Sequence, residues 1–136
     1  MIDRMNDAVV KALLEAMPAE ITVIDENDEV IGWNQHETRI FTRPMTSMGL
    51  NFRNCHPEKS LHMVEKIVGD MKTGKMNRAA FWIDLGGQGA DKKEVHKILI
   101  QFYALRDDAG KYLGCLEFTQ DVEDIRNLKG EKKLLD

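Results

Sequence analysis

Thiol, imidazole, amine and hydroxyl groups crowd into one short string, Cys55-His56-Pro57-Glu58-Lys59-Ser60. A cysteine beside a histidine invites a nucleophile–base reading. Side chains of adjacent residues seldom converge, however, and no acidic residue is identifiable that would orient the ring. No catalytic group is therefore expected. Pro57 suits the first turn of a helix, where a missing N–H costs nothing. His56 then stands at the N-cap, beside free backbone amides and the positive end of the dipole. There His56, Cys55, Lys59 and Ser60 would form a polar mouth for an anionic or carbonyl-bearing ligand. The competing reading is local: His56 and Ser60 satisfy backbone donors while Cys55 packs as a small apolar residue, and helix caps are commoner than ligand sites.

His62 lies further along the same helix, where an imidazole aimed at a sheet could ligate haem iron. The apolar stripe Leu61, Val64, Ile67, Val68 and Met71 leaves His62 toward its polar edge, which favours a solvated ring. His36 and His96 have no partners in sequence and are expected at the surface. Cys55 and Cys115 match no metal spacing and read as reduced thiols. Gly86-Gly87-Gln88-Gly89 opens no helix and lacks a Walker Lys-Ser/Thr pair, so it reads as a hairpin loop.

The elements that must position these groups follow from periodicity. Residues 2–17 carry apolar side chains at Met5, Val9, Ala12 and Ala16, with Leu13 and Met17 beside them, and Pro18 ends that helix. Glu20–Asp25 and Glu29–Asn34 form two short strands around the turn residues Glu26-Asn27-Asp28. Residues 35–56 show no sustained strand alternation and read as short helical pieces, one over Glu37–Phe41 and one after Gly49, interrupted by Pro44. The long helix runs from Pro57 to about Lys72, with Gly74 free to take the left-handed conformation that ends helices. Three strands follow, Arg78–Leu85, Val95–Arg106 and Tyr112–Asp121; in the second, Ile98, Ile100, Phe102 and Ala104 alternate with Lys97, Leu99, Gln101 and Tyr103. Residues 122–136 return to helical periodicity through Ile125, Leu128 and Leu135, with Lys132 interrupting the heptad.

A chain of 136 residues supports one core and not two. With a net charge of −4 it lacks the positive surface that phosphate backbones demand, so nucleic acid is not an expected partner. No apolar run reaches the roughly 20 residues that span a bilayer. The N-terminus has no signal-peptide pattern, and a cytoplasmic location without membrane attachment is expected.

The order helix, two strands, short helices, long helix, three strands, helix describes an α+β fold, a five-stranded antiparallel sheet covered by helices on one face. It resembles the PAS fold over roughly residues 14–126. Ile21-Thr22-Val23-Ile24-Asp25-Glu26-Asn27 followed by Val30-Ile31-Gly32-Trp33-Asn34 is similar to the opening PAS hairpin, with its Asp-x-x-x-x-Ile-x-x-x-Asn pattern. Residues 104–114 are similar to the hairpin between the last two strands. Thr119-Gln120-Asp121-Val122-Glu123-Asp124-Ile125 is similar to the Asp-Ile-Thr exit signature. Asn54-Cys55-His56-Pro57-Glu58-Lys59-Ser60, Val64-Glu65-Lys66-Ile67 and Phe81-Trp82-Ile83 resemble the PAS module found C-terminal to hemerythrin-like domains in bacterial and archaeal proteins; the chain has no room for that second domain.

The resemblance implies a PAS domain over 18–122, flanked by an N-terminal helix over 1–17 and a C-terminal signalling helix over 123–136. Its function would be sensory, with a small ligand or cofactor bound beneath the long helix and its state relayed through the terminal helices in signal transduction or transcription regulation. The expected ligand contacts are His56, Cys55, Lys59 and Ser60 on the polar side and Trp82, Phe102 and Phe118 on the apolar side, with Met63 as an adaptable lining residue, unless the large side chains simply fill the core or a dimer face. Haem-binding PAS sensors carry their axial histidine on this helix about eleven residues before the closing glycine; that position is Met63 here, one residue past His62, and His56 is the other candidate ligand. Flavin photochemistry is not expected, because Asn54-Cys55-His56-Pro57 shares only two residues with the reactive-cysteine string of light-sensing PAS domains. Expected partners are a second copy, paired through the terminal helices, and an effector of the sensor-kinase type. A PAS fold used only for protein contact is the alternative.

Overall fold

The computed structural model describes residues 1–86 and 94–134. The five strands β1 (Glu20–Asp25), β2 (Val30–Trp33), β3 (Arg78–Gly86), β4 (Val95–Arg106) and β5 (Tyr112–Asp121) form one antiparallel sheet in the order β2-β1-β5-β4-β3. Helix α1 covers Asp7–Ala16 and α2 covers Glu58–Lys72, while Met45–Ser47 and Phe52–Asn54 are single 3₁₀ turns. The long helix and all five strands stand where periodicity predicts them. No helix covers 37–41; a turn there is held by His36 instead, whose Nδ1 accepts from the Thr38 amide at 3.2 Å. The hairpin loop expected at Gly86–Gly89 falls, after Gly86, outside the described residues.

Strand alternation divides the sheet into two faces. Val64, Val68 and Met71 of α2 pack on Ile24, Ile98, Ile100, Phe102 and Cys115, with Val30 and Phe52 closing the core. Met71 and Ile98 are wholly buried. α1 approaches the opposite face near Ile21 and Val23, which alternate with the core-facing Thr22 and Ile24. It buries none of its own residues, so Val9, Val10, Leu13 and Leu14 stay exposed.

The quoted hairpin motif has a visible physical basis. Asp25 Oδ1 accepts from the amides of Asn27 and Glu29 and so closes the β1–β2 turn, where Asp28 adopts φ 69°. Asn34 is buried and saturated: its Oδ1 accepts from Ile21 N at 2.9 Å, and its Nδ2 donates to the carbonyls of Leu14 and Ala19. One side chain thus ties the end of α1 to both strands of the hairpin.

The C-terminal segment departs from expectation. Helix α3 is only Glu123–Arg126, and Leu128 is three-quarters exposed. An apolar repeat with nothing to pack on does not sustain a helix, and Gly130 at φ 61° turns the chain away. The exit from β5 is nevertheless tightly bonded. Asp121 Oδ1 accepts from the Glu123 amide, and Glu123 Oε2 accepts from the Lys97 amide at 2.8 Å.

His96, expected at the surface without partners, is half-buried beside that exit. Its Nδ1 lies 2.5 Å from Asp121 Oδ2 and its Nε2 lies 3.5 Å from Glu94 Oε1. The Asp121 hydrogen bond, reinforced by Glu94, holds its pKa above the ordinary imidazole value. The imidazolium therefore stabilises the folded chain fully below the unfolded value of about 6.5, and that contribution is lost as pH rises through the higher folded value. Titration of the His96 ring protons by NMR should show this raised midpoint, and Asp121→Asn should lower it toward 6.5; an unmoved midpoint would show that the carboxylate is not the cause.

Candidate functional site

A cavity of about 530 Å³ opens between the start of α2, the 41–50 loop and the inner face of the sheet. Phe81, Ile83, Ile100 and Phe102 make its apolar wall, with Leu50, Pro44 and Val64 opposite. Phe81 and Phe102 lie nearly parallel, with ring centroids 5.9 Å apart. A water-sized void of about 20 Å³ continues inward past Thr22, His56, Val68 and Cys115.

Polar groups gather at one end. Glu20 and Arg39 form a buried ion pair at 3.3 Å, but both are occupied by the backbone. Glu20 accepts from the amides of Ile40 (2.6 Å) and Phe41 (3.1 Å), and Arg39 donates to the carbonyls of Ile21, Asn34 and Phe41. Their work is to pin the 39–41 segment that forms the cavity rim. Burial draws the Arg39 pKa down and Glu20 opposes the shift.

His56, Arg43 and Glu117 remain. His56 Nδ1 stands 2.9 Å from the Phe52 carbonyl, which only accepts, so this nitrogen carries the proton. The ring edge packs against Phe52, and Nε2 points at Glu117 Oε2 from 3.9 Å. Glu117 is closely surrounded by protein while its carboxyl stays open to the cavity. Burial raises its pKa, with His56 and then Arg43 pulling the other way. Arg43 lines both the cavity and the inner void, and its Nε is buried without an acceptor among the described residues.

Of the residues expected to meet a ligand, the structure brings Cys55, His56, Ser60 and Phe102 to the cavity. Lys59 and Met63 face solvent from α2, as does His62, so of the two candidate haem ligands only His56 opens onto the cavity. Trp82 and Phe118 lie on the other face. Trp82 pairs with Leu99, whereas Phe81 and Ile83 on either side of it point inward; on β5 the inward residues are Cys115 and Glu117, which leaves Phe118 outward. The helix N-cap is Pro57 and not His56, because His56 bonds backward to Phe52. Cys55 and His56 form no nucleophile–base pair: Cys55 Sγ faces the Asn51 carbonyl at 3.9 Å, and the ring nitrogens turn to Phe52 and Glu117. Cys115 is an inert core thiol, its pKa pushed up to about 12 by burial and then by the charge of Glu117.

A family model described as "PAS domain" matches residues 10–123. The chain belongs to the PAS domain family. Solved structures agree on the PAS fold. The C-terminal domain of a Streptococcus mutans protein superposes with a TM-score of 0.76 at 24% identity, covering 92% of this chain and 91% of that one. The PAS domain of a Colwellia psychrerythraea protein gives 0.60 at 13% identity, with 87% and 99% covered. A sensory box sensor histidine kinase from Vibrio cholerae gives 0.56 at 12%, with 85% and 90% covered. No curated protein sequence gives a significant match. Among the described residues no helix of this PAS domain is long and apolar enough to cross a membrane.

Proposed function

We propose that this PAS domain is a sensory module that binds a small organic molecule between α2 and the sheet and passes the bound state to its terminal segments. The cavity carries the reading: about 530 Å³, apolar along one wall, with Arg43 Nε at its polar end left without an acceptor among the described residues. A filled core used only for protein contact would not hold such groups open. Relay is supported by the strand itself. Glu117 at the cavity and Asp121 at the bonded exit share β5 and differ by four residues, so they lie on one face. A ligand preferring one arrangement of Glu117 would bias the exit by its differential affinity for the two states. The exposed apolar stripe of α1 supports pairing with a second copy, and the Vibrio cholerae neighbour supports an effector of the sensor-kinase type.

Native mass spectrometry of the full chain tests ligand binding. A retained mass that disappears on denaturation is expected. An empty spectrum, together with no thermal stabilisation across a metabolite library, would overturn the sensory reading in favour of a ligand-free interaction module.

A further inference from the structure

Ligand chemistry at this cavity follows from which of its polar groups already have hydrogen-bond partners. Glu20 and Arg39 neutralise one another and direct their hydrogen bonds into the 21–41 backbone. His56 turns Nδ1 to the Phe52 carbonyl and Nε2 to Glu117 Oε2, 3.9 Å away. Arg43 is left over. Its guanidinium is permanently charged, and its buried Nε meets no acceptor among the described residues. A buried donor without an acceptor is costly, and an acceptor oxygen on a ligand removes that cost.

Shape narrows the class of anion. A guanidinium presents parallel N–H donors that match the two oxygens of a carboxylate. Beyond Arg43 the cavity becomes an apolar slot walled by Phe81, Ile83, Ile100 and Phe102, with the paired rings of Phe81 and Phe102 giving it a flat side. The geometry points to a small organic monocarboxylate as the ligand, its carboxylate forked by Arg43 and its aromatic or branched apolar body lying along that wall. This rests on the ligand-binding reading above. A cationic ligand would meet Arg43 as a like charge. A neutral one would give up the charge-assisted fork.

Three probes of one shape separate these cases. Phenylacetate, phenylacetamide and phenethylamine are titrated into the isotope-labelled full chain and followed by amide chemical shifts. Phenylacetate should shift Cys55, His56 and Phe102 and bind about tenfold or more tighter than the amide, with the amine weakest. Arg43→Gln should weaken phenylacetate by a similar factor and leave phenylacetamide unchanged. Arg43→Lys, which keeps the charge without the fork, should fall between, and it guards against a folding defect in the first variant. Equal or tighter binding of the amide or amine, unchanged phenylacetate affinity in Arg43→Gln, or no shift with any probe would overturn the carboxylate assignment. The sensory reading falls separately, when native mass spectra and thermal stabilisation also show nothing.

Discussion

Replacing Glu20 with alanine is expected to lower stability by about 3–5 kcal/mol, the range for removing one partner of a buried ion pair. Glu20 is 5% exposed and is the acceptor for Ile40 N and Phe41 N as well as for Arg39. The variant strands the Arg39 guanidinium, whose side chain is 10% exposed, and two amides, each of which costs free energy when left without a partner. These losses share one site and do not add independently. Urea titration should show the midpoint falling with an unchanged slope. Amide exchange over residues 39–44 should rise more than elsewhere, because Glu20 pins the rim that presents Phe41, Thr42, Arg43 and Pro44 to the cavity. Glu20→Gln keeps an acceptor oxygen and should lose less. A loss below about 1 kcal/mol for alanine would mean that the pair behaves as a surface salt bridge.

Gly114→Ala is expected to be comparably severe, about 3 kcal/mol or more, for a steric reason. A Cβ at Gly114 would sit 2.1 Å from the Ile24 carbonyl oxygen and 3.2 Å from Asp25 Cα. Both are backbone atoms of the neighbouring strand, so no side chain can swing away. β1 and β5 pair over Glu20–Asp25, and only through that ladder does the β1–β2 hairpin join the rest of the sheet. Thermal unfolding of Gly114→Ala beside Gly69→Ala isolates the cause. Gly69 lies inside α2 with nothing within 4 Å of its added methyl, so alanine there should stabilise by about 0.5–1 kcal/mol. Similar losses at both positions would remove the steric explanation.

The fold was legible because its signals are local. Pro57 and Gly74 bracket α2, Asp25 and Asn34 mark the first hairpin, and Asp107–Gly110 makes the last turn, closed by Gly110 N donating to the Asp107 carbonyl. The C-terminal helix was overread, since Ile125 and Leu128 have helical spacing but no surface to bury against. The site was half legible. Cys55, His56 and Ser60 sit beside a proline that announces the helix start, whereas Arg43 occupies a loop with no periodic signal and Glu20 looks like any strand-end carboxylate. Glu117 had a readable trace, its strand parity with Cys115, but alternation on β5 carries apolar residues on both faces. Trp82 and Phe118 were misassigned to the cavity for that reason: the outer face has large side chains of its own in Leu99, Tyr103 and Leu116.

By itself the sequence determined that the polar string Cys55–Ser60 stands at the start of a long helix over a five-stranded sheet, because proline, glycine and apolar period act within a few residues of themselves. Only the tertiary structure decided what that string faces. His56 meets Glu117 across 61 residues of chain and Glu20 holds the loop that carries Arg43; such pairings depend on strand register and loop closure, and on burial that leaves the Arg43 Nε without an acceptor among the described residues.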